Sequence, residues 1–157
     1  MTLCVECYVR RGGKTLMLHR NKKDGDVNKG KWIGLGGKFL PDESPEECLL
    51  REVKEESGLT LTSYRLRGIV TFMTKNGRAV TGEPFLIFIY TADGFEGELT
   101  QCDEGTLEWV EDDKLQDLEL WEGDRLFWRW IDEDKYFFSA KFVYEVDSLI
   151  ENEVAFY

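Results

Sequence analysis

The chain has 157 residues, 42% hydrophobic and 32% charged, the proportions of a globular protein able to bury roughly 70% of its unfolded surface around one core. A net charge of −11 argues against nonspecific binding to a nucleic-acid polymer or an anionic membrane. The longest apolar run, Phe85 to Tyr90, has six residues and is far too short to span a bilayer, and Met1-Thr2-Leu3-Cys4 does not begin a signal peptide, so a cytoplasmic location is expected.

In chain order, Leu3–Arg10 and Thr15–His19 read as two strands of a hairpin, turned by Gly12-Gly13. The polar stretch Asn21–Lys31 reads as a loop, and Trp32–Leu35 as a short strand running into Gly36-Gly37. A helix is expected over residues 45–57. Ser44 is the N-cap, Pro45 suits the first helical position and Glu47 completes a capping box. Leu49, Leu50 and Val53 give this helix one apolar face, and Gly58 is its C-terminal stop.

Arg65–Thr74 and Glu83–Thr91 follow as strands joined by a turn near Asn76-Gly77, and Thr106–Val110 is a further strand. Asp112–Leu118 reads as a short helix and Trp121–Ile131 as a second amphipathic one. Lys135–Glu145 and Ile150–Tyr157 return to strand character. With no repeat and no linker, the expectation is one domain over 1–157, an α+β fold with a mixed sheet and two principal helices. The pattern specifies no oligomeric state.

The four cysteines, Cys4, Cys7, Cys48 and Cys102, are too few and scattered for a disulfide framework. Cys4 and Cys7 have CxxC spacing, but there is no second pair and His19 is the only histidine, so buried thiols are expected rather than a zinc site. Charge is unevenly spread: residues 1–40 carry +6 and residues 41–157 carry −17.

The first helix gathers Glu52, Glu55 and Glu56 at i, i+3 and i+4, where each like-charge pair costs an isolated helix roughly 0.2–0.5 kcal/mol. No lysine lies between them on that face, so a positive group should sit over it. Oxygen donors of this kind suit Mg²⁺ or Mn²⁺ better than zinc.

The surrounding pattern is Gly37-x5-Glu43-x7-Arg51-Glu52-Val53-x-Glu55-Glu56-x-Gly58-Leu59. Its seven specified identities would agree by chance with odds on the order of 10⁻⁸ to 10⁻⁹. It resembles the Nudix box at every fixed position, and the chain is similar to Nudix hydrolases, which cleave nucleoside diphosphates linked to a further group. Segments Leu16–Lys23, Gly30–Lys38, Cys102–Val110, Trp121–Asp124 and Phe137–Tyr144 extend the likeness to the MutT and MutX type of 8-oxo-dGTP diphosphatase.

The resemblance implies a Nudix-type α/β/α sandwich and a small-molecule nucleotide substrate. It implies divalent metal ligands at Glu52, Glu55, Glu56 and the Gly37 carbonyl, with a further acidic ligand at Glu104, or less favourably Asp103. Glu52 is the first choice for the base that activates water, and Glu104 the second. Carboxylates alone would repel a polyphosphate, so bound Mg²⁺ and the basic segment that includes Lys23 and Lys38 complement each other. Lys38 is the leading phosphate contact. A Glu43–Arg51 ion pair and Gly58 have structural parts.

Trp121 and Asp124 fall in a segment resembling the purine-binding one of animal relatives, although Trp121 also reads as a core residue. This chain departs from those relatives at Ile33, where they have asparagine, and at Gly123, where they have a second acid. Cleavage of an ordinary dNTP, a dinucleoside polyphosphate or a nucleotide sugar stays open as an alternative, as does a nucleotide-sensing module without catalysis.

Overall fold

The computed structural model describes residues 1–157. Its strands are β1 (Thr2–Arg11), β2 (Lys14–His19), β3 (Trp32–Ile33), β4 (Leu35–Lys38), β5 (Thr60–Asn76), β6 (Ala79–Glu96), β7 (Thr106–Glu111), β8 (Phe138–Glu145) and β9 (Ser148–Phe156). Its helices are α1 (Pro45–Ser57) and α2 (Glu122–Glu133), with a 3₁₀ turn at Asp112–Asp117. The strands form one mixed sheet in the order β3-β2-β1-β6-β5-β8-β9, with β4 also on β1 and β7 also on β2. Strands β1 and β6 run parallel, as do β5 and β8, while the hairpin pairs are antiparallel.

Strand β1 is interior, and its run Cys7-Tyr8-Val9 is fully buried, as a strand covered on both faces requires. Alternation divides its side chains between two apolar layers. Val5, Cys7 and Val9 pack with Cys48, Leu49 and Val53 of α1. On the opposite face Tyr8 packs with Phe127, Trp128 and Ile131 of α2 and with Phe138 and Phe142 of β8. The result is the α+β, α/β/α sandwich that the sequence implies.

Helix α1 begins and ends where its sequence dictates. Glu47 N–H donates to the Ser44 hydroxyl at 3.2 Å, and Ser44 N–H donates to the Glu47 carboxylate at 2.8 Å, so two end donors are satisfied reciprocally. Gly58 ends the helix at φ 81°, with its N–H on the Lys54 carbonyl. Such a cap contributes about 1 kcal/mol.

Three segments differ from expectation. Trp32–Leu35 is not one strand: β3 pairs with β2, the chain steps across at Gly34, and β4 pairs with β1. Gly36-Gly37 therefore lies within β4 instead of following the strand, and its glycines answer to crowding. A methyl at Gly36 would overlap the Val5 carbonyl, and one at Gly37 the Glu52 carboxylate.

The β5–β6 hairpin extends well beyond the expected ends, because its polar outer ribbon is held by ladder hydrogen bonds that leave no apolar periodicity. Strand β8 starts at Phe138, since α2 runs on to Glu133 and is capped by Asp134 at φ 50°.

Candidate active site

A cleft of about 580 Å³ opens beside β1, β4 and α1. Its acidic stretch carries Glu52, Glu56 and Glu104, with Arg20, Lys38, Gly37 and Arg51; its aromatic and apolar stretch carries Ile33, Phe72, Phe85, Ile87 and Trp121, with Glu6 and Asp124.

Arg51 organises the acidic stretch. Its Nε and Nη2 both donate to Glu43, the latter at 2.8 Å, and Nη2 also reaches the Lys38 carbonyl at 3.1 Å. Nη1 donates to Glu52 at 2.8 Å and to Glu55 at 3.3 Å. This guanidinium offsets part of the repulsion along the helix face, and its hydrogen bonds hold the Glu43 carboxyl down to about 2. Glu43 thus ties the loop before α1 to the helix.

Glu52 lies against Gly37 with little exposure; burial raises its carboxyl, Arg51 opposes that, and Glu55 and Glu104 add to it. Glu56 is 8% exposed and accepts only the Gly36 N–H, at 3.3 Å. Burial, and then the neighbouring Glu104 and Glu52 charges, push its carboxyl up to about 8. Glu55 is 61% exposed and stands outside the cleft wall.

From the other side, Glu104 is held by Arg20 at 2.8 Å and Lys23 at 3.5 Å. Arg20 is anchored in turn on Asp26 at 2.6 Å. Lys23 reaches the cleft only through Glu104, whereas Lys38 lines it, its Nζ 5.8 Å from the Phe85 ring centre.

No three acidic side chains already enclose a common point as a closed cage. The donor set is nevertheless oxygen-rich, and its most buried member, Glu56, is raised by neighbouring like charges. Both facts fit a hard divalent cation, which would relieve that repulsion.

In the aromatic stretch Trp121 is only 6% exposed. Phe72 and Tyr144 meet it edge-on at 5.7 and 5.0 Å, its Nε1 donates to Asn28 at 2.8 Å, and Lys31 Nζ lies 4.6 Å from its ring centre. It is therefore a core residue and a cleft wall together. Asp124 joins it from the first turn of α2, and Ile33 and Phe72 supply apolar walls.

Arg20, a member of the basic segment, takes a specific place in this site, and Glu6 carried no earlier assignment. Arg20 is the main partner of Glu104, and Glu6 of β1 lines the cleft together with Asp124. The available signal for Glu6 was its place beside Cys7-Tyr8-Val9: an acid on a strand buried on both faces cannot be an ordinary surface charge.

A NUDIX domain model matches residues 2–131. The chain belongs to the NUDIX family, whose members hydrolyse phosphoanhydride bonds of small-molecule nucleotides, generally with a divalent metal ion.

It is 36% identical over 100 residues to an oxidized purine nucleoside triphosphate hydrolase of Danio rerio, covering 62% of this chain and 60% of that one. It is 29% identical over 105 residues to a CTP pyrophosphohydrolase of Escherichia coli, covering 67% of this chain and 72% of that one. In structure it is similar to a mutator MutT protein of Bacillus halodurans, with a TM-score of 0.89 and 25% identity over 98% of this chain and 97% of that one. No helix is long and apolar enough to cross a membrane.

Proposed function

We propose that the chain, as one catalytic domain over 1–157, is a nucleoside triphosphate pyrophosphohydrolase that removes 8-oxo-dGTP and related oxidised purine nucleotides, a nucleotide-pool sanitiser. The observation that carries this reading is one cleft lined by Glu52, Glu56 and Glu104 together with Trp121, Asp124 and apolar walls. The likeness to the Danio rerio hydrolase supports the purine assignment.

In this reading Glu52, Glu55, Glu56, Glu104 and the Gly37 carbonyl hold Mg²⁺, or Mn²⁺ in its place. When bound there, the ion would supply neutralisation of the polyphosphate charge and polarisation of a phosphoryl oxygen. Glu52 takes the proton of the attacking water, and Glu104 is the alternative base. Water adds to the β-phosphorus and the bond to the α–β bridging oxygen breaks, leaving the nucleoside monophosphate and pyrophosphate. Lys38 contacts the phosphates, and Arg20 and Lys23 hold Glu104 in place. Trp121 and Asp124 meet the base.

A second reading, a pyrimidine triphosphate such as CTP, is favoured by the Escherichia coli relative. Steady-state hydrolysis of 8-oxo-dGTP, dGTP and CTP with Mg²⁺, with products identified, separates the two. The purine reading expects at least a tenfold preference in kcat/KM for 8-oxo-dGTP, releasing monophosphate and pyrophosphate. Equal rates for all three, or a preference for CTP, overturn it.

A further inference from the structure

Glu6 is an acid in a place where charge is costly. It extends from β1 between the buried neighbours Val5 and Cys7 and lines the aromatic stretch of the cleft. One oxygen, Oε1, is fully engaged: the Tyr8 hydroxyl donates to it at 2.7 Å and the Gly34 N–H at 3.0 Å. These two bonds fix the carboxyl's direction, and Oε2 accepts from no protein group.

Asp124 lines the same stretch from α2, and its carboxyl makes neither a hydrogen bond nor an ion pair with any residue. No cation contacts Glu6 either. Lys31 and Arg125 act on Asp124 only at a distance, and two carboxyls with no cation in contact are a poor structural device, because each would be more stable as an amide or a hydrocarbon. They are a good reader of a polar ligand that brings its own donors.

We propose that Glu6 is a base-specificity residue of this cleft, reading with Asp124 the Watson–Crick edge of a guanine-type base. The inference rests on the cleft being a nucleotide site and names which of its residues choose the base.

The chemistry selects the edge. Burial raises both carboxyls, the Tyr8 and Gly34 hydrogen bonds opposing it at Glu6 and the Glu6 charge adding to it at Asp124, which favours a proton held on the pair. A pair with one proton offers acceptor oxygens and a single O–H donor. Guanine presents two adjacent donors, N1–H and the exocyclic N2–H, and one acceptor, O6. Adenine presents one donor beside an acceptor, and cytosine one donor beside two acceptors. Only the guanine edge uses two acceptors and a donor together. The Ile33 side chain cannot form a hydrogen bond, Gly123 has no side chain, and the Asn28 side-chain oxygen already accepts from Trp121, which leaves Glu6 and Asp124 as the free acceptors of this stretch.

The test is calorimetric binding of dGMP, dIMP and dAMP with Mg²⁺ present; none has an anhydride to cleave, so affinity is read apart from turnover. Wild type should bind dGMP at least tenfold more tightly than dIMP, which lacks only the exocyclic amino group, and more tightly than dAMP. Glu6→Gln replaces the free oxygen by an N–H donor that opposes guanine's donors. It should weaken dGMP at least tenfold while leaving dAMP within threefold.

Equal dGMP and dIMP affinities in wild type overturn the proposal without any variant, so it stays open to test even where Glu6→Gln fails to fold. An equal loss for dGMP and dAMP in a folded Glu6→Gln assigns Glu6 a structural part and also overturns it. Triphosphate hydrolysis by wild type, measured alongside, shows whether the proposed function stands when this inference falls.

Discussion

The Glu52 carboxylate fills the space that a side chain at Gly37 would need. Helix and strand meet so closely there that the strand can present only backbone to the acid. Because the atoms met are the far end of a flexible side chain, a methyl at Gly37 should move Glu52 rather than unfold the sheet. Gly37→Ala is expected to lower kcat by about 10²-fold with little change in melting temperature. Unaltered turnover in that variant would show that the position of Glu52 is unimportant to the reaction.

Glu56→Gln tests the buried acid. Loss of one carboxylate proposed to face the metal should slow turnover by roughly 10³-fold. Stability should not fall at neutral pH, since burial and the Glu104 and Glu52 charges already keep Glu56 protonated there and the amide is neutral as well. A variant that turns over at a near-normal rate removes Glu56 from the metal site.

The same residue predicts a pH dependence in protein stripped of metal with EDTA. Glu56 holds its proton up to about pH 8 in the folded chain, against an ordinary value of 4.5. Between those values the folded state binds more protons than the unfolded one, so stability falls as pH rises. The contribution is complete below the ordinary value and lost on passing through about 8. Thermal melts from pH 4 to 9, taken as the difference between wild type and Glu56→Gln, should show that decline. Saturating Mg²⁺ should abolish it. Parallel melting curves for the two proteins in EDTA would refute the assignment.

Arg51→Lys keeps the charge but loses the fork that joins Glu43, Glu52 and the Lys38 carbonyl. A loss of about 1–3 kcal/mol is expected in urea unfolding, together with reduced kcat, because the loop before α1 and the Glu52 carboxylate are released at once. Stability equal to wild type would mean that a point charge is enough.

Trp121 separates packing from recognition. Trp121→Ala should cost about 3–5 kcal/mol, as expected for a large buried aromatic. Trp121→Phe keeps the contacts with Phe72 and Tyr144 but loses the bond to Asn28. It should fold well and show a higher KM. An unchanged KM in a folded Trp121→Phe would place the base elsewhere in the cleft.

Local chemistry explains which parts were legible beforehand. Helix α1 could be bounded to the residue because Ser44, Pro45, Glu47 and Gly58 each act within a few positions of the backbone they satisfy. The glutamate face followed from helical spacing alone. The step at Gly34 and the strand character of Gly36-Gly37 were hidden, since both depend on the backbone of β1, some thirty residues away. Arg20's hold on Glu104 joins residues 84 apart and leaves no local trace. Glu6 was concealed differently: loose alternation reads an acid within a strand as solvent-facing, and only the two-sided burial of β1 turns that face into a cleft wall.

Strand β1 therefore carries a safeguard against misthreading. Its odd positions, Val5, Cys7 and Val9, belong to the layer beneath α1, while Glu6 belongs to the cleft. Sliding the strand by one residue would drive a carboxylate into the wholly apolar layer and present a valine or cysteine where the cleft keeps its acid. The penalty of burying a carboxylate without partners, several kcal/mol, would fall more heavily on the misaligned state, which lacks the Tyr8 hydroxyl and Gly34 N–H that the native Glu6 accepts from. The acid that the native cleft tolerates thus acts as an alignment key during assembly of the sheet, discarding the neighbouring registers.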